Sequence, residues 1–510
     1  MSEAGMVLKL KMEKHYTKIF IAVIGIKLLL AGFFPVISDE VYWYTLGQHL
    51  DGNYYDHPPM TGWIIYAFSS LGSHIFYLRL FPILCGIIAA LGILLFVQRV
   101  YDDPVKAKLV SLVFLVAPLN ILFVPMATDT ALFLFVFLSG MFFCYGIYRD
   151  KGAHIFISGI FLGLAVLSKY FSGLLLIAVI VSLIFHPKKK RAIRYCFIFL
   201  AGAVPFVLLH LYWNYTHCWT NVMFNVFNRN RSIRTDYGGF LSYIAFQFYL
   251  ATPWCLFYLG RHRRELKEDV KKYKNLFFWL FLIPILIFGV VSFQETGLHW
   301  YIAFYPFFFM LLVYLNKEEL IKAVRYSALF SLIHVIPIFI VLALPVETFK
   351  NHEHYRDLVL CTHGDELVEK IKEKYGDNYI LGTNGYWTSG ALNYFSGEDV
   401  IVFHDNSKFG REDDKVTDFR ELDGKNILVL STSGIKDDYS IYFDKLTFDS
   451  ITIRENRFNI ALGEGFHYTL YRDRFLKKAL EKWYDIPDYL PVGDCFFYNK
   501  YFPERYNKQN

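Results

Sequence analysis

Charge is scarce in this chain. Asp, Glu, Lys and Arg supply 19% of its 510 residues, against 55% hydrophobic and 19% aromatic. That balance excludes an ordinary soluble enzyme and indicates a multi-spanning membrane protein. No small-residue cleavage pattern follows the first apolar run, so that run is expected to remain as an anchor. There is no internal repeat, and no string of charges runs through the middles of the apolar segments; both absences argue against a transporter or lipid flippase. Cysteine is too sparse and scattered to define a framework. Cys85, Cys144, Cys196 and Cys255 lie in apolar runs and read as small hydrophobes. Cys361 and Cys495 are expected to pair if the fold brings them together, leaving Cys218 alone.

What the chain has in abundance is long apolar runs. They begin with Ile19 to Ile37 and recur to Tyr326–Leu344, and their number predicts about eleven spans. The formal net charge of +6 would suggest nucleic acid in a soluble chain, but here the basic residues sit in short loops beside apolar runs. If the spans alternate, the N-terminus and the loops near Arg99, Arg149, Lys188–Arg194, Arg261–Lys274 and Lys317–Arg325 share one side and hold roughly two dozen basic residues. The positive-inside rule makes that side cytoplasmic. The other side carries only Lys169, Arg229, Arg231 and Arg234 before the C-terminal part.

The polar stretch Ser38–Trp63 falls on that basic-poor side. It opens with adjacent carboxylates, Asp39 and Glu40, and closes with Tyr54-Tyr55-Asp56-His57-Pro58-Pro59, where two prolines fix φ. No lysine or arginine occurs from Ser38 through Tyr77, so any cation facing these acids must come from elsewhere in the chain or from a ligand. Two readings stand: solvated loop acids, or a working site at the membrane surface. Other groups on the same side carry paired readings too. Lys169 either snorkels to the headgroups or binds an anion. Arg229, Arg231 and Arg234 either attract lipid headgroups or hold a phosphate through their guanidinium forks. Asp129 either caps a helix or lines a site, and His299, close to Glu295, is either a satisfied half-buried histidine or a ligand.

The segments DEVYWYTLGQHLDGNYYDHPP, LRLFPILCG beginning one residue before Arg79, ATDTALFLF, GLAVLSKYFSGLLL, LYWNYTHCW and GLHWYIAFYP resemble the bacterial members of the dolichyl-phosphate-mannose protein mannosyltransferase superfamily. These are GT-C glycosyltransferases, and the resemblance to the aminoarabinose transferase that modifies lipid A covers about residues 17 to 345. Where that transferase carries a lysine, this chain has His57. The resemblance implies inverting transfer of a sugar from a polyprenyl-phosphate donor to an envelope lipid, glycan or protein at the outer face of the bacterial inner membrane. The implied roles are Asp39 as base with Glu40 beside it, and His57, Lys169, Arg229, Arg231, Arg234 and His299 as ligands of the donor phosphate. Tyr55, Asp56, Arg79, Asp129 and Glu295 are the expected substrate contacts. A divalent metal stays open, since no tight His and carboxylate spacing marks a site.

After Pro345 the composition turns charged and mixed. The expected division is a transmembrane GT-C domain over 1–345 and a soluble extracytoplasmic α/β or α+β domain over 346–510. A helix is predicted at Asp365 to Tyr375, and strands at Tyr379 to Gly382, Asp399 to Phe403 and Asn426 to Leu430. The aromatic segment Tyr386–Phe395 is expected to pack this domain on the loops more than to touch an acceptor.

Overall fold

A computed structural model describes residues 3–123, 130–228, 236–294, 297–432, 434–435 and 437–506. Of the residues singled out above, Asp129, Arg229, Arg231, Arg234 and Glu295 lie outside them. The chain forms two compact units.

The first unit draws on Met1–Phe34, Phe68–Leu209 and Ile233–Leu342 and is helical. Five helices among the described residues are long and apolar enough to cross a membrane: Glu13–Phe33, Ile75–Tyr101, Thr130–Tyr148, Lys189–Tyr215 and Lys317–Leu342. A sixth span results if Tyr237–Ala251 and Pro253–Arg261, bent by 76°, count as one. Shorter apolar helices occupy Gly152–Val166, Tyr170–Ile184, Phe277–Val291 and His299–Tyr314. At 1.5 Å per residue the 27 residues of Lys189–Tyr215 reach ~40 Å, more than a hydrocarbon core needs.

In lipid the helices gain no hydrophobic drive towards one another, so close packing and internal hydrogen bonds must hold them. Both appear here. Ser139 Oγ donates to the Ser158 carbonyl at 2.8 Å, and Ser158 Oγ donates to the Ser139 carbonyl at 2.7 Å. Beside this pair, Gly159 and Gly202 let two backbones touch: a Cβ on Gly159 would collide with the Phe199 carbonyl oxygen, and one on Gly202 with that of Phe156. A carbonyl in a helix cannot swing aside. Gly159→Leu is therefore expected to cost about 1 to 3 kcal/mol in overpacking, read as a lower melting temperature and loss of the monodisperse peak in detergent.

The second unit gathers Pro35–Ala67, His210–Ser232 and Ala343–Asn510. Two segments distant in sequence thus fold with the C-terminal part. Its sheet runs in the order β2-β1-β3-β5-β4, with β1 Ile380–Thr383, β2 Ile401–Val402, β3 Ile427–Ser431, β4 Phe443–Ile453 and β5 Asn456–Phe466. β1 pairs parallel with β2 and β3, while β5 runs antiparallel to both β3 and β4. The three predicted strands are present, and the predicted helix is the second half of Tyr355–Tyr375. The 11-residue hairpin strands β4 and β5 were not predicted. Their burial alternates only in part, which blurs the period-2 signal.

The disulfide differs from the expected one. Cys218 pairs with Cys495, and Cys361 is a free thiol on the helix Tyr355–Tyr375. The backbone around Cys218 docks on the C-terminal tail: Cys218 N–H donates to the Asp494 carbonyl at 3.1 Å and Trp219 Nε1 to that of Pro491 at 2.8 Å. Burial, reinforced by the charges of Asp357 and Glu40, pushes the Cys361 thiol up to about 12, so it is unreactive as a nucleophile.

Candidate functional site

The second unit holds the acidic stretch between two supports. Its first helix, Ser38–Gln48, begins with the carboxylates in its first turn, where the helix dipole favours them. Asp39 is exposed. Glu40 is buried, and its Oε2 accepts from the Ile37 N–H at 3.2 Å, the returning bond of a capping box.

This helix packs on Tyr386–Ser396. Tyr42 meets Tyr386 edge-on at 5.2 Å between ring centroids, Tyr44 meets Tyr394 likewise at 5.2 Å, and Thr45 Oγ1 donates to Asn393 Oδ1 at 3.3 Å. Gly390 permits the approach, since a Cβ there would sit 3.1 Å from the Val41 carbonyl oxygen. The aromatic segment predicted to pack the C-terminal part on the loops does so here.

After the helix the chain turns sharply, and Tyr54 N–H donates to the His57 carbonyl at 3.0 Å. Asp56, only 3% exposed, accepts from the Tyr42 hydroxyl at 2.8 Å, and His57 Nδ1 lies 2.9 Å from the same carboxylate oxygen. The His57 ring rests against Trp43 at 4.8 Å. Burial, then the charges of Asp56 and Glu412, push the Tyr42 phenol well above its ordinary value. Burial, then Asp39 and Asp56, push Tyr386 up to about 12. Both phenols therefore stay protonated, and Tyr42 uses its proton to donate to Asp56. Tyr55 departs from the expected substrate contact: it is 2% exposed, its ring packs on Phe224 at 5.6 Å and Tyr484 at 6.3 Å, and it belongs to the core.

Next to this cluster a small cavity of about 60 Å³ opens, lined by Tyr42, His49, Tyr386, Asn393, Glu412 and Asp413 among others. Burial, helped by the neighbouring Asp414, pushes Asp413 up to about 7. The folded state therefore keeps this proton to a higher pH than the unfolded chain does, and stability falls as pH rises from about 4 to about 7. Asp413→Asn is expected to flatten that decline in melting-temperature profiles across the same range.

The remaining candidates lie in the first unit. Arg79 is buried, its Nη1 donates to the carbonyls of Ala31 at 3.1 Å and Phe34 at 2.6 Å, and its guanidinium stands over the Phe34 ring. It caps the C-terminal end of the first helix, as a cation at that pole should. Lys169 is 9% exposed, with Nζ 5.8 Å from the Phe171 ring centroid. His299 is exposed and meets Trp300 edge-on. One cation overlooked in the sequence is Lys27, in the first apolar run; it is buried and donates to Asn120 Oδ1 at 3.0 Å. Among the described residues no group of three or more His, Cys, Asp or Glu could hold a metal.

A family model described as dolichyl-phosphate-mannose-protein mannosyltransferase matches residues 56–213. The fold is that of ArnT from Cupriavidus metallidurans. Its apo structure superposes with a TM-score of 0.62 at 13% identity, covering 88% of this chain and 98% of ArnT. The structure bound to undecaprenyl phosphate gives 0.63 at 12% identity, covering 90% and 98%. Together these likenesses support a glycosyltransferase of the GT-C type. Among curated proteins, the lipid A galacturonosyltransferase RgtD of Rhizobium johnstonii is 24% identical over 378 residues, 72% of this chain and 74% of the relative.

Proposed function

We propose that this protein transfers a sugar, with inversion, from a polyprenyl-phosphate carrier to a hydroxyl of a lipid A-like acceptor at the non-cytoplasmic face of the inner membrane. The observation that supports this most is the Asp39, Tyr42, Asp56, His57 and Tyr386 cluster, in a chain whose relatives include a lipid A galacturonosyltransferase and a protein crystallised with undecaprenyl phosphate.

Asp39 takes the proton of the acceptor hydroxyl as that oxygen attacks the anomeric carbon. The bond from that carbon to the phosphate oxygen breaks on the opposite face, and the carrier leaves as its phosphate. A phosphate already anionic at neutral pH needs cations more than a proton donor. His57, Lys169, Arg229, Arg231, Arg234 and His299 are assigned that task. Asp56 orients His57, and Tyr42 orients Asp56. Arg79 supports the end of the first helix, while Glu40 holds the start of the helix that carries Asp39.

The test is purified protein incubated with a radiolabelled undecaprenyl-phosphate sugar and lipid A. Label is expected in the lipid A fraction, with free carrier phosphate released in equal amount. Movement of the donor across liposomes with no transfer of label would instead favour a flippase and overturn the proposal.

A further inference from the structure

We propose that Lys415, Glu412 and Asp51 are positioning residues: a mostly buried ionic clamp that grips the backbone leading into Asp56 and His57 and sets where those side chains stand. The inference rests on the transferase reading for what the clamp serves, though not for its existence.

The clamp is built from contacts within the second unit. Glu412, 5% exposed, accepts the Tyr55 N–H on Oε2 at 2.6 Å, directly before Asp56. Lys415 Nζ pairs with Glu412, reaches Asp51 Oδ2 at 3.1 Å and donates to the Asn53 carbonyl at 3.3 Å. The same ammonium lies 5.4 Å from the Tyr54 ring centroid and 5.5 Å from that of Trp213. Asp51 in turn accepts from Trp213 Nε1 at 2.7 Å, and its carbonyl accepts from Trp63 Nε1 at 2.7 Å. On the other side of the turn Asn221 Nδ2 donates to the Tyr54 carbonyl at 2.8 Å and Asn225 Nδ2 to that of Asp56 at 3.1 Å. Every backbone group bound in this way belongs to the 51–56 segment, and none of the three clamp residues reaches the Asp56 carboxylate or the His57 ring by a hydrogen bond.

Stability alone is a poor reason for such a network. Taking charges out of water costs several kcal/mol per ion, and well-packed apolar residues of similar volume often do as well or better. An ionic network differs from an apolar patch in direction: it prescribes the place of each backbone N–H and carbonyl it binds. Burial pushes Glu412 up from its ordinary value in spite of Lys415. On Lys415 burial acts the other way, and Glu412 and Asp51 outweigh it and raise its value. The ammonium is thus held as a cation at the centre of the clamp.

Hydrogen exchange on the full-length protein in detergent, followed in peptides covering residues 51–58, tests the clamp without any reaction. Lys415→Met alone would leave buried acid uncompensated, so the decisive variant is the double change Lys415→Met with Glu412→Gln. It removes the ion pair yet leaves an amide oxygen for the Tyr55 N–H. In that variant, with Cys218–Cys495 still intact by non-reducing peptide mapping, exchange over 51–58 is expected to quicken at least tenfold. kcat for transfer from undecaprenyl-phosphate sugar is expected to fall about 10- to 100-fold with the donor KM changed less than threefold. Lys415→Arg should restore most of both. Wild-type exchange over 51–58 in the double variant would overturn the clamp, as would a kcat drop that Lys415→Arg fails to restore. If the wild type transfers no sugar while the exchange effect appears, the clamp stands and the transferase reading fails.

Discussion

Asp39→Asn is expected to lower kcat by about 10²- to 10⁴-fold, the range a positioned general base supplies, while undecaprenyl phosphate binds as tightly as before. The substitution is nearly isosteric and removes only the ability to accept a proton. It leaves the phosphate ligands untouched, so the loss should fall on kcat and hardly on the donor KM. The fold is not at stake. Asp39 is exposed in the first turn of Ser38–Gln48, and losing one charge at that pole costs about 0.3 to 1 kcal/mol. Single-turnover transfer of labelled sugar, with donor binding measured separately, checks both halves. A variant that keeps a tenth of wild-type kcat would move the base elsewhere, and Asp56 would be the next to test.

Removing the disulfide should have the largest effect on stability. Cys218 and Cys495 are 277 residues apart in sequence, and closing so long a loop is worth about 5 to 6 kcal/mol in the chain-entropy account. The bond ties the 210–232 segment to the C-terminal tail, and that segment carries Asn221 and Asn225, which hold the carbonyls of Tyr54 and Asp56. Replacing both cysteines by serine is expected to lower the melting temperature of the second unit by several degrees and to reduce transfer in parallel. Cys361→Ser should leave the non-reducing mobility unchanged. An intact Cys361–Cys495 crosslink in peptide maps would contradict this pairing.

Much of the fold was legible because apolar runs long enough to span a bilayer obey a one-dimensional rule. The helical membrane part, three strands and one helix of the C-terminal part could be read in that way, and the Ser38–Trp63 stretch stood out because its acids lack a local cation. The reach of side chains was less legible. Arg79 was expected as a substrate contact because it falls in a segment that carries the family resemblance, and in the structure it caps the first helix through the carbonyls of Ala31 and Phe34. Tyr55 looked like a sugar contact because it belongs to an aromatic motif, yet its ring is core. Lys27 was lost within an otherwise apolar run. Glu412 and Lys415 carried only a weak signal, a short charged cluster in mixed sequence, with nothing to link it to a loop some 350 residues earlier.

By itself the sequence determined the class of the protein, a multi-pass membrane chain with a polar, acid-bearing stretch between its first apolar runs, because hydropathy and charge placement are local properties. Only the tertiary structure decided which partners those polar groups have: Cys495 for Cys218, Tyr42 for Asp56, Glu412 for the Tyr55 amide. Such pairings depend on how distant segments pack in three dimensions, and no spacing along the chain encodes them.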